Sequence, residues 1–66
     1  MKVREVIKLL KDDGWFAHKT RGSHRHFKHP TKPGKVTVPG KMGKDVHPRT
    51  LNYILKQASL EKGDFN

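Results

Sequence analysis

"WFAHKTRGSHRHFKHPTKPGKVTV" spans residues 15–38, and its punctuation decides the fold. "WFAHK" (15–19) reads as a strand, "TRGS" as a turn, and "HRHFKH" (24–29) as a second strand. Pro33-Gly34, within "PTKPG", is a strong turn signal. "KVTV" (35–38) follows, with Val36 and Val38 alternating onto one face. Short strands joined by tight turns form an antiparallel meander.

The segments on either side have a different period. Val3, Val6, Ile7 and Leu10 fall at i, i+3, i+4, i+7, one face of a helix. Gly14, after "KDD", suits the left-handed residue that ends it. Downstream, Pro48 stands at a first helical position, and Leu51, Ile54, Leu55 and Ala58 repeat the stripe. Gly63 is expected as the outer limit of that helix. The predicted fold is α+β, in the order α-β-β-β-α. Both helices pack on one face of a three-stranded antiparallel sheet, because no other surface can bury their stripes. A chain of 66 residues is one domain, residues 1–66, and is too short to cover the other face of its sheet.

Alternation along the strands sorts the side chains. Phe27 points to the helices, and Arg25 shares its face near the strand end. His24, His26 and Lys28 point to the open face. Val36 and Val38 go inward, Lys35 and Thr37 outward. With Trp15 and Ala17 inward, Phe16 and His18 lie on the open face, where an aromatic ring can stack on a base.

Charge marks the same part of the chain. The formal net charge is +9. Residues 19–49 carry nine basic groups and a single acid, Asp45, a net of +8. The flanking segments are nearly neutral. Charge gathered in one segment is the footprint of a polyanion-binding surface. The chain has no cysteine, which excludes disulfides and thiolate metal sites. No uninterrupted apolar run exceeds three residues, so neither a signal peptide nor a membrane span is expected, and the expected location is cytoplasmic.

Three histidines lie within "GSHRHFKHP" (22–30). His24 and His26 could converge on an ion, but alternation sends His29 to the other face. No Asp or Glu lies between Asp13 and Asp45 to hold the cations of a metal nuclease. No metal or cofactor is therefore expected. "GKMGK" (40–44) is too short for a phosphate-binding P-loop and ends before an Asp where Ser or Thr is needed. "GKMG" also matches the loop of KH domains, which joins two helices, whereas this one follows a strand. General acid–base chemistry on RNA remains, since the substrate carries its own nucleophile, the 2′-hydroxyl. An imidazole can take that proton while cations hold the phosphate. On these residues alone, RNA binding and RNA cleavage both stay open.

At this point the chain resembles the HicA-type messenger-RNA interferases, toxins of type II toxin–antitoxin pairs. The resemblance rests on "LLKDDGW", "GSHRHFKHP", "VTVPG" and "TLNYILKQASL" and covers nearly the whole chain. It implies a fold like the double-stranded RNA-binding domain. It implies a metal-independent, ribosome-independent endoribonuclease acting on mRNA, with His24 as catalytic base, and a HicB-like antitoxin covering the active face. Many members carry a histidine soon after Val-Pro. Here Lys41 stands there, leaving His26, Lys41 or water as the acid. Arg25, Lys28 and Lys41 are candidate phosphate contacts, and Phe16, His26 and Lys35 complete the expected RNA-binding set.

Overall fold

A computed structural model describes residues 1–60 of the chain. Its elements run α1 (Val3–Asp12), β1 (Phe16–Arg21), β2 (His24–Lys28), β3 (Val36–Val38) and α2 (Pro48–Gln57). The strands form one antiparallel sheet in the order β1-β2-β3. The expected α+β class and element order are both present. Gly63 lies outside the described residues.

The core is what the two periods require. Val3, Val6, Ile7 and Leu10 of α1, together with Ile54 and Ala58 from α2 and its cap, meet Phe27, Val36 and Val38 of the sheet. Trp15, just ahead of β1, is buried among them, and Leu51 packs at the margin. Each fully buried Val, Leu, Ile or Phe contributes roughly 1.5–3 kcal/mol, and this cluster is what holds so small a chain together.

Both helices stop by the same device. At the end of α1 the Gly14 N–H bonds the Lys11 carbonyl and the Trp15 N–H the Leu10 carbonyl. At the end of α2 the Ser59 N–H bonds the Lys56 carbonyl and the Leu60 N–H the Leu55 carbonyl. This is the paired-bond Schellman closure, which needs a left-handed residue to reverse the chain. Gly14 (φ 103°) fills that position in α1, and Ser59 (φ 57°) fills it in α2. The closure aims Trp15 straight back onto Leu10, so the helix stop also seats the largest core residue. His47 starts α2: its Nδ1 accepts the Arg49 N–H at 3.1 Å, with Pro48 next in line.

The loop between β3 and α2 is stitched to the start of α1. The carbonyls of Lys44 and Met42 accept the N–H groups of Val3 and Arg4, two donors that a helix start leaves without internal partners. Lys2 and Asp45 add a bridge and an exposed ion pair at 3.5 Å.

Three expectations about the strands need correction. β1 runs to Arg21 rather than ending at residue 19, and the turn shrinks to Gly22-Ser23. Gly22 has φ 59°, and a two-residue Gly-X turn of this kind matches the twist of the strands it joins. Strict alternation also fails in β1: Ala17 pairs with Phe27 but Lys19 pairs with His26, so His18 is an extra residue in a bulge. Finally, β1 is an edge strand reaching past the helices. All six of its residues are exposed, Ala17 included, although Ala17 shares the face of Phe27.

Candidate nucleic-acid interface

Register decides which side chains share the open face, because directly opposed residues in an antiparallel ladder point the same way. Phe16 opposes Lys28, Lys19 opposes His26, and Arg21 opposes His24. Thr37 opposes His26 from the other side. His24, His26 and Lys28 therefore carry Lys19, Arg21 and Phe16 with them onto one face. Lys19 and Arg21 were not among the expected site residues. Strict alternation from Phe16 turns both of them toward the helix side, and the bulge at His18 rotates them out. A bulge re-aims side chains in this way. Its signal in the sequence is the conflict itself, since a lysine and an arginine at inward positions ask for one extra residue.

His18, Lys19, Arg21, His26, Lys28 and Lys35 line a shallow, open basin of about 420 Å³ on this face. The His26 Nδ1 hydrogen-bonds the Thr37 hydroxyl at 2.9 Å, which orients the ring across β2 and β3. Phe16, 48% exposed, lies beside Lys28 at one end of the β1–β2 ladder. His24 lies at the other end, against the turn. It is exposed, and among the described residues its ring has no hydrogen-bond partner.

Two expected contacts sit elsewhere. Arg25 lies on the helix side, opposite Val38. Its guanidinium donates to the Gly40 carbonyl at 2.5 Å and to the Ser23 carbonyl at 3.3 Å. It ties the loop after β3 to the start of β2. Lys41 belongs to that loop and is not part of the basin's lining. Lys32, one of the nine cations of the basic block, is also engaged inside the fold. Its ammonium donates to the Asp13 carboxylate at 2.5 Å and the Ala58 carbonyl at 3.1 Å, closing the end of α2 as a cation favours.

His29 is the third histidine of the motif, and it faces the helices as alternation demands. Its Nε2 donates to the Asp13 carbonyl at 2.6 Å. Its Nδ1 accepts the Thr31 and Lys32 N–H groups, each at 3.1 Å. The ring meets Trp15 edge-on, with centroids 5.2 Å apart. A Cβ placed on Gly14 would come within 2.7 Å of the His29 Nε2, so the helix stop and this histidine are fitted to each other.

A model of the HicA toxin of bacterial toxin–antitoxin systems matches residues 3–60. The chain belongs to the HicA toxin family. No curated protein matches it. Membership makes it the toxin of a toxin–antitoxin pair and implies an antitoxin partner. The matched span takes in both helices, the whole sheet, His24 at the start of β2 and His29 just past its end. Among the described residues no helix is long and apolar enough to cross a membrane.

Proposed function

We propose that this HicA-family chain is an endoribonuclease that cuts mRNA without metal or ribosome, with His24 as general base. The observation that carries the reading is His24 itself. It is an exposed imidazole without a partner among the described residues, on a sheet face that also bears Lys19, Arg21, Lys28 and Lys35. His24 removes the proton of a 2′-hydroxyl. The 2′-oxygen forms a bond to the adjacent phosphorus, and the bond from phosphorus to the 5′-oxygen breaks. The products end in a 2′,3′-cyclic phosphate and a 5′-hydroxyl. His26 supports the role of acid toward the leaving 5′-oxygen: it lies two residues along the same face, ~6–7 Å away by strand rise, and Thr37 holds its ring in place. Lys28 and Lys35 hold flanking phosphates, and Phe16 offers a stacking surface for a base. Arg25 contributes by tethering the loop that carries Lys41, and Lys41 reaches phosphate from that loop at the margin of the face. The order α-β-β-β-α supports a likeness to the double-stranded RNA-binding domain, with the chemistry moved to the open sheet face.

The same face is the one a HicB-like antitoxin covers on this reading. Such a partner presents Asp and Glu against the cations and an apolar patch against Phe16. RNA and antitoxin then compete for it, and the complex melts higher than the free toxin.

The test is incubation with RNA in excess EDTA, beside a His24→Ala control and DNA of the same sequence. RNA cut to cyclic-phosphate ends by the wild type alone, with DNA bound and uncut, is the expected result. RNA bound but not shortened by the wild type refutes the nuclease and leaves an RNA-binding module. Equal cutting by His24→Ala moves the base elsewhere.

A further inference from the structure

Two arginines flank the Gly22-Ser23 turn, and the fold uses them differently. Arg25 is engaged by the carbonyls of Gly40 and Ser23. Arg21 is exposed, and among the described residues it makes no side-chain hydrogen bond or ion pair. It stands directly opposite His24 across the turn. Opposed residues in a ladder have Cβ atoms ~5 Å apart, a distance within a guanidinium's reach. Arg21 shares this face because the ladder sets His18 aside in a bulge; were His18 paired in plain alternation, the same sequence would turn Arg21 toward the helix side. The geometry therefore puts an exposed, unpartnered imidazole beside an exposed, unpartnered guanidinium among the described residues, with the ladder irregularity between Ala17 and Lys19 keeping both on one face.

Resting on the ribonuclease reading above, we propose that Arg21 is a catalytic residue that clamps the scissile phosphate. During in-line attack, negative charge builds on the two non-bridging phosphoryl oxygens. A planar guanidinium can donate to both in parallel, which a lysine ammonium cannot. The short, two-residue turn holds Arg21 and His24 at fixed separation. The oxygens of the phosphate therefore meet the guanidinium while the neighbouring 2′-hydroxyl meets the imidazole. Lys19, Lys28 and Lys35, further along the face, bind the strand on either side and act on affinity.

The experiment is steady-state cleavage of a short RNA by the full chain, with wild type and His24→Ala run alongside. Arg21→Ala is expected to lower kcat by about 10²–10³-fold, the scale for losing one preorganised donor to a developing oxyanion, with little change in KM. Arg21→Lys recovers only part of this. Free guanidinium added to Arg21→Ala raises its rate, a rescue that a merely structural role does not show. Lys19→Ala gives the opposite split, with KM raised and kcat kept. An active wild type whose Arg21→Ala variant keeps kcat within about threefold overturns the clamp while sparing the nuclease reading. A wild type that does not cut RNA overturns both.

Discussion

The β1–β2 hairpin has a histidine at each end, and the two ends are built on opposite terms. At the root, His29 has no freedom. Both ring nitrogens are hydrogen-bonded, its edge lies against Trp15, and Gly14 leaves room for its Nε2 and for nothing else. Asp13 ties this end together, accepting His29 at its carbonyl and the Trp15 indole and Lys32 at its carboxylate. At the tip, His24 has Arg21 opposite, a two-residue turn behind it, and solvent in front. The same residue type is a structural bracket at one end and, among the described residues, an exposed and unpartnered imidazole at the other. What separates them is the presence of partners: an imidazole whose two nitrogens are already bonded has no lone pair or proton to offer a substrate.

Exchanging the two histidines in turn is the most direct way to break this comparison, and the effects should be the largest. His24→Ala should remove RNA cleavage, by three orders of magnitude or about that for the loss of a general base together with its positioning. Its melting temperature should stay within a few degrees of wild type, since the ring is exposed and makes no hydrogen bond among the described residues. His29→Ala should do the reverse. It strands the Asp13 carbonyl and two backbone N–H groups and removes an aromatic contact, a loss of about 2–3 kcal/mol. That corresponds to a fall in Tm of roughly 10–20 °C for a domain this small. Activity per folded molecule should survive. Thermal melts and cleavage assays on both variants check it. A His24→Ala protein that unfolds, or a stable His29→Ala protein that cannot cut, would erase the distinction.

A second prediction separates the cations of the open face from the one held inside the fold. Lys19, Arg21, Lys28 and Lys35 face the basin, whereas Lys32 is bound within the fold. RNA affinity of the His24→Ala variant should fall with salt at a slope of about −3 in log K against log salt, four phosphates at ~0.7 each. Lys19→Ala or Lys28→Ala should flatten the slope by about 0.7. Lys32→Met should leave the slope alone and cost stability instead, ~1 kcal/mol for a partly exposed ion pair and a helix-end contact. A Lys32→Met slope as flat as that of Lys28→Ala would show that Lys32 also binds RNA.

The smallest effect concerns the two helix stops. Gly14 and Ser59 occupy equivalent left-handed positions, but only Ser59 has a side chain to strain there. Ser59→Gly should stabilise by up to about 1 kcal/mol, read as a rise of a few degrees in Tm. Gly14→Ala, strained and facing His29, should destabilise by more than that. Equal and opposite shifts would mean that backbone conformation alone matters and that the contact with His29 adds nothing.

Periods of 3.6 and 2, with Pro33-Gly34, Gly14 and Pro48 as punctuation, were sufficient for the element order, the helix stripes and nearly all of the core. They also oriented Phe27, Val36, Val38 and His29 inward and His24, His26, Lys28 and Lys35 outward. These are local properties: each follows from a residue's own neighbours in the chain and from the need to bury apolar surface. The bulge at His18 is not local in that sense. It is a relation between two strands, visible only once β1 is laid against β2, and it alone brings Lys19 and Arg21 beside His26 and His24. The roles of Arg25 and Lys32 are likewise settled by distant carbonyls, Gly40 for one and Ala58 for the other. A basic residue in a sequence carries a charge wherever it lies. Whether that charge meets a substrate or a helix end depends on which backbone oxygens the folded chain brings within its reach.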